Sequence, residues 1–180
     1  MSDEIFDVCN AADEVIGQNT RKEVHRLGLM HRAVHVLVFN ARGELFLQKR
    51  SMTKDTFPGA WDSSASGHLE AGEDYDACAV RELSEELGIV ANHPPERLFK
   101  IAACSETAQE HVWVYRYECE GPFCLHPEEI ERGEWFTSAQ INEALRTRPQ
   151  EFASAFVLLW PRVSTPDVRR GQLKVSRPPT

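Results

Sequence analysis

Gly67-His-Leu-Glu-Ala-Gly-Glu-Asp-Tyr-Asp-Ala-Cys-Ala-Val-Arg-Glu-Leu-Ser-Glu-Glu-Leu-Gly-Ile89 carries most of what this chain says about its fold and chemistry. Asp74 is placed to cap a helix that runs to about Leu87. Val80, Leu83 and Leu87 form its apolar stripe, and Gly88 sits where a glycine ends a helix. On that helix Glu82, Glu85 and Glu86 stand at i, i+3 and i+4, which puts three carboxylates on one face. Their mutual repulsion favours a positive partner. Hard divalent cations, Mg²⁺ or Mn²⁺, prefer oxygen ligands and bridge carboxylates to phosphates. A solvated acidic helix face is the other reading of the same three residues.

Upstream, Ile5 to Val8 and Glu14 to Gly17 flank Asn10-Ala-Ala-Asp and read as a short hairpin. A polar stretch from Gln18 to Gly28 leads into Ala33-Val-His-Val-Leu-Val-Phe39, an apolar, β-branched run expected to be a buried central strand. Asn40-Ala-Arg-Gly43 is a turn, and Glu44 to Arg50 is expected to return beside that strand. Downstream, Leu98 to Cys104, Val112 to Cys119 and Gly133 to Phe136 read as strands. Ser138 to Arg146 and Phe152 to Trp160 read as helices. The expectation is one α/β domain over residues 1–164, with a poorly structured tail at 165–180 that is rich in Pro and Arg.

Composition narrows the partners. The 180 residues are 42% apolar and 27% charged, enough to bury a core, and the formal net charge is −8. An acidic balance argues against a protein that grips a nucleic-acid polymer by neutralising its phosphates. The apolar runs fall far short of the roughly 20 residues needed to span a bilayer, so no membrane role is expected. Five scattered cysteines and an acidic N-terminus without a secretory pattern point to the reducing cytoplasm. Cys119 and Cys124 have no second ligand pair at zinc spacing and read as ordinary thiols.

The opening segment resembles the Nudix box, G-x5-E-x7-R-E-U-x-E-E-x-G-U with U aliphatic, at every defined position: Gly67, Glu73, Arg81, Glu82, Leu83, Glu85, Glu86, Gly88 and Ile89. A chance match in such a chain falls below about one in a million at average residue usage. The resemblance implies a mixed β-sheet sandwiched between α-helices, preceded here by the hairpin. It implies a hydrolase, a pyrophosphohydrolase that cleaves a diphosphate linkage in a small metabolite such as a nucleoside diphosphate derivative. By position, Glu82, Glu85 and Glu86 are the implied metal ligands, with the Gly67 carbonyl joining them and Mg²⁺ or Mn²⁺ as cofactor. Glu73 and Arg81 are implied to be a supporting pair. The general base is either Glu82 or Glu110, which precedes Val112-Trp-Val-Tyr115.

Flanking features are similar to a Nudix-fold relative, isopentenyl-diphosphate isomerase: the hairpin, Met30-His-Arg-Ala33, Leu47-Gln-Lys-Arg50, Phe57-Pro-Gly-Ala-Trp61 and Gly67-His68. That resemblance sets His25, His31, His68 and Glu110 at or near metal-holding positions. The histidines are either ligands of a second ion or local hydrogen-bond partners. The isomerase's proton-moving cysteine falls on Ser66, and a serine hydroxyl is a poor substitute for a thiol in moving protons at carbon. The expectation is therefore a hydrolase of the isomerase-like branch, with a non-catalytic nucleotide sensor and the isomerase itself as alternatives. Arg50 is expected to grip a phosphate. Lys49 beside it is a second substrate-binding candidate. His35 reads as a core or cleft residue. Phe57, Trp61, Trp113 and Trp135 are candidates for an aromatic wall, at least two of them more at home in the core. Substrate identity, the attacked phosphorus and a possible homodimer are left open.

Overall fold

The computed structural model describes residues 4–163. Strands β1 (Ile5–Cys9) and β2 (Val15–Thr20) form the antiparallel hairpin, and a helix α1 (Arg21–Leu27) follows. Strands β3 (His31–Phe39), β4 (Leu45–Arg50), β5 (Trp61–Asp62) and β6 (Ala65–His68) come next, then the helix α2 (Tyr75–Leu87). Strands β7 (Glu96–Ile101), β8 (Glu110–Glu118) and β9 (Ile130–Phe136) precede helices α3 (Ser138–Thr147) and α4 (Ser154–Val163). The expected tail lies outside the described residues.

The second sheet is mixed, with strand order β5-β4-β3-β8-β7, β6 added to β3 and β9 added to β4. β3 and β8 run parallel over nine paired residues, from His31↔Glu110 to Phe39↔Glu118. β4 was expected to run back along β3, but the two pair in register only at Phe39↔Leu45 and then part. β6 takes the other half of that edge, from Ala33↔His68 to Val36↔Ala65. Where the strands part, the Ser64 hydroxyl bridges the gap, accepting from Val38 N–H and donating to the Phe46 carbonyl. Two of the backbone groups freed by the split, the Val38 N–H and the Phe46 carbonyl, are thereby satisfied. Among the described residues β6 pairs with β3 alone, so its outer edge is open.

Strand alternation decides which residue belongs to which face. Val34, Val36 and Val38 of β3 pack with Leu83 and Leu87 of α2. Ala33, Leu37 and Phe39 pack on the opposite face with Val112, Val114, Ile141, Phe156 and Leu159. β3 is therefore apolar on both sides, as a strand covered by helices on both faces must be. α2 begins as expected: the Asp74 carboxylate accepts from the Asp76 and Ala77 amides. It ends at Gly88, whose φ of +68° closes the last turn through its amide onto the Ser84 carbonyl. Its buried stripe is Tyr75, Cys78, Ala79, Leu83 and Leu87, whereas Val80 is only half-buried.

Three local readings change. The stretch read as merely polar contains α1, capped by the Thr20 side chain and closed by Gly28 in the left-handed region. Only Val24 is buried in it, so it carries no hydrophobic period to read. β6 is built from Ala, Ser, Gly and His, residues with little strand preference, and exists because β3 offers it an edge. β8 starts at Glu110, two residues before the expected strand, and β7 ends at Ile101 rather than Cys104.

Candidate active site

A cleft of about 1050 Å³ opens around the free edge of β6 and reaches both faces of the sheet. On the α2 face, Glu82 and Glu86 are buried and Glu85 faces solvent. Gly67 is held against Glu82: a Cβ there would come within 1.9 Å of Glu82 Oε1, so no larger residue fits without displacing the carboxylate. Glu86 sits where β4 leaves β3, its Oε2 accepting from Gln48 Nε2 at 2.9 Å and from the Ser66 amide at 3.0 Å. Burial, followed by the neighbouring Glu82 charge, raises the Glu86 pKa well above the ordinary carboxylate range. Burial also pushes Glu82 up to about 7, against the opposing pull of Arg81.

Arg81 joins loop and helix. Its Nε and Nη2 donate to the two oxygens of Glu73 at 3.0 and 2.9 Å, and Nη2 also reaches the His68 carbonyl at 3.0 Å. Nη1 donates to Glu82 at 2.6 Å and to Glu85 at 3.0 Å. Burial alone would raise the Glu73 pKa, but the Arg81 hydrogen bonds outweigh it and leave Glu73 below its usual value. This forked pairing fixes the 68–73 segment against α2.

The opposite face carries a second polar group. By register and alternation His31, His35, Ser66, His68 and Glu110 lie together there, around the small side chain of Ala33. His25 reaches them from α1, and one nitrogen each of His25, His31 and His68 falls within 4.8 Å of the others. His31 gives its Nδ1–H to the Leu29 carbonyl at 2.9 Å, which leaves Nε2 with its lone pair. That Nε2 is buried without a hydrogen-bond partner and lies 3.8 Å from Glu110 Oε1. His68 Nε2 contacts the same oxygen at 2.9 Å. Burial lowers all three histidines, His31 to about 4. Glu110 is raised by burial, against the pull of the histidines. Phe6 of the hairpin packs over the three rings at 4.9–6.2 Å.

The remaining candidates divide. Arg50 lines the cleft, but its guanidinium is engaged: Nη1 on Asp62 at 3.1 Å, Nε on the Thr56 carbonyl at 3.1 Å. Lys49 stands over the Trp61 ring at 5.1 Å and is not among the cleft-lining residues. Of the four aromatics, Phe57 lines the cleft mouth, while Trp61, Trp113 and Trp135 pack in or against the two cores. Sequence reasoning missed three cleft cations: Lys22, Arg21, which pairs with Glu4 at 3.5 Å, and Lys54, which pairs with Glu129. The Thr20 and Gly28 caps of α1 were the available signal for the first two. Lys54 lies in a loop and offered none.

Carboxylates gather at one end of the cleft, with Arg21, Lys22 and Lys54 also in its lining. A profile of the NUDIX domain matches residues 29–156, and the chain belongs to the Nudix family of hydrolases, which act on diphosphate bonds. A Yersinia pestis protein described as an uncharacterized Nudix hydrolase is 34% identical over 145 residues, covering 77% of this chain and 76% of its own. An isopentenyl-diphosphate Delta-isomerase of Serratia proteamaculans is 29% identical over 173 residues, covering 93% and 96%. The crystal structure of a Deinococcus radiodurans protein superimposes with a TM-score of 0.80 at 26% identity, covering 90% of this chain and all of the other.

Proposed function

We propose that this chain is a Mg²⁺- or Mn²⁺-dependent pyrophosphohydrolase that cleaves a diphosphate linkage in a small metabolite by attack of water on phosphorus. One observation carries the reading: Glu82 and Glu86 are buried as neighbours on one helix face and raised toward protonation, with the bare Cα of Gly67 leaving room for the Glu82 carboxylate. Two buried carboxylates are unfavourable by themselves. Hard oxygen donors in this arrangement fit a divalent cation, with Glu82, Glu85, Glu86 and the Gly67 carbonyl as the residues that would hold it. The bound cation supplies charge neutralisation at the phosphate oxygens and acidifies a water. The protein's own part is positional. The Arg81–Glu73 pair fixes the turn, and Gln48 and the Ser66 amide orient Glu86. Arg21, Lys22 and Lys54 attract the anionic substrate. Glu82 and Glu110 are the two candidates to accept a proton from the attacking water; Glu82 shares the face of the proposed ion, and Glu110 lies on the histidine face with its Oε1 2.9 Å from His68 Nε2.

Phosphate release from a panel of diphosphate compounds, with and without Mg²⁺, tests the reading alongside Glu86→Gln. Expected is metal-stimulated cleavage of at least one compound, reduced by 100-fold or more in the variant. Undiminished activity of Glu86→Gln sinks the assignment. Binding of a nucleotide without cleavage supports the sensor alternative.

A second reading attaches to the other face. The bare, buried Nε2 of His31 beside His25, His68 and Glu110 is the donor set of an imidazole-rich ion site. The isomerase relative makes isomerisation of isopentenyl diphosphate its natural activity, yet Ser66 stands where the resemblance places that enzyme's cysteine. Allylic product without phosphate release would favour it. A visible Co²⁺ spectrum lost in His68→Asn would establish the second ion site independently of either activity.

A further inference from the structure

His35 has a role that neither the glutamate cluster nor the histidine trio explains. It is 5% exposed and lines the cleft, on the β6-facing side of β3 and directly opposite Ser66 in register. Its Nδ1 lies 2.8 Å from Ser63 Oγ and 3.8 Å from Asp62 Oδ1, the second too far for a hydrogen bond. Ser63 is wholly buried, and among the described residues its hydroxyl has one partner, the His35 ring. A buried hydroxyl must place its hydrogen on an acceptor. The Ser63 O–H therefore donates to His35 Nδ1, and that fixes the proton of the neutral ring on Nε2.

Nε2 has no protein partner among the described residues, and it is not one of their buried polar atoms left without a partner. It opens on the cleft. The ring is braced from behind: Asp62 accepts from the Ser63 amide at 2.8 Å through Oδ1 and from Arg50 Nη1 at 3.1 Å through Oδ2. A histidine that merely fills a core uses both nitrogens on the protein. This one uses one and leaves an N–H for a cavity whose lining includes Lys22, Arg21 paired with Glu4, and Lys54 paired with Glu129.

We infer that His35 is a substrate-binding residue, a fixed neutral donor whose Nε2–H is hydrogen-bonded to a phosphate oxygen of the bound diphosphate. The inference rests on the pyrophosphohydrolase reading and names a contact that the glutamate box does not supply. Arg50, held by Asp62 and Thr56, also braces the ring from behind through this chain. The cations at the rim supply charge, and His35 supplies direction at the floor.

The test uses the full chain labelled with ¹⁵N-histidine and inorganic pyrophosphate with Mg²⁺ as the probe. The chain has seven histidines, and His35→Gln assigns the signal. Expected is an Nε2–H tautomer for His35 in the free protein, lost in Ser63→Ala. Pyrophosphate should move the His35 Nε2 resonance and leave unmoved that of His111, whose Nε2 is tied to the Asn10 carbonyl. His35→Leu should weaken pyrophosphate binding about ten- to a hundred-fold, the worth of a hydrogen bond to a charged group, and His35→Gln should recover part of it. An Nδ1–H tautomer, a His35 signal unmoved by pyrophosphate, or unchanged affinity in His35→Leu overturns the inference. If His35→Leu does not fold, the wild-type spectra alone decide. Metal-dependent cleavage lost in Glu86→Gln, with a static His35 signal, would leave the enzymatic reading standing and this contact refuted.

Discussion

Glu82 is the residue where local physics yields a signed forecast. Its pKa in the folded protein is raised to about 7 from 4.5, chiefly by burial. The folded state therefore prefers the protonated acid. The stability this contributes is complete below pH 4.5 and is lost as pH rises to 7. Glu82→Gln stays neutral throughout, so without metal the variant should gain on the wild type by up to about 3 kcal/mol between pH 4.5 and pH 8. His31, lowered to about 4, makes the folded state gain as pH rises from 4 to 6.5, and it cancels in the comparison of the two proteins. Urea melts at the two pH values with EDTA provide the check; a difference independent of pH would refute it. Gly67→Ala should be severe for another reason. Its methyl would occupy the space of the Glu82 carboxylate, so metal affinity by calorimetry should fall at least ten-fold while circular dichroism keeps its shape. The three glutamates could be set on one face from spacing, because a helix converts i, i+3, i+4 into geometry, whereas Arg81 and Gly67 are named only through the resemblance to the Nudix box. His35 and Lys54 could be read in neither way: their roles depend on what Ser63, Asp62 and the 51–59 loop place beside them.

Among the elements, the hairpin has the least obvious purpose and the most testable attachment. Asp13, at its turn with φ +62°, accepts from Arg32 Nε at 2.7 Å and Tyr75 Oη at 3.0 Å, and also pairs with Lys100. Burial would raise its pKa, but these three donors together keep it below the ordinary value. Asp13→Ala should cost about 1–2 kcal/mol in urea denaturation, the loss of its half-buried hydrogen bonds from Arg32 and Tyr75. It should also speed amide exchange across β1, loosening Phe6 from the histidines. A variant with unchanged exchange in β1 would show that the hairpin is held some other way. The long strands and α2 were legible because each shows a hydrophobic period. α1 and β6 were not, since one buries a single residue and the other owes its existence to a neighbour's edge.

For the molecule as a whole, the acidic charge and the cleft's carboxylates predict coupling between cation binding and stability. Mg²⁺ at a hundred times its pH 8 dissociation constant should stabilise the fold by about 2.7 kcal/mol at pH 8, and the same concentration should do less at pH 5, since the ion competes with protons for Glu82 and Glu86. Differential scanning calorimetry with and without EDTA measures it; equal shifts in the wild type and Glu86→Gln would place the ion elsewhere. The layered architecture could be read from the order of strands and helices. The parting of β3 from β4, which makes room for Glu86, could not, because it depends on one serine hydroxyl standing in for a missing strand.

β3 is a ruler with two scales. Its even-numbered residues pack on the apolar side of α2 and its odd-numbered ones supply the histidine face, so one backbone serves both sides. Either set can drift in residue type while the other stays fixed. Neither can tolerate a change in count: one residue inserted or deleted within this strand would exchange the two faces and dismantle both at once.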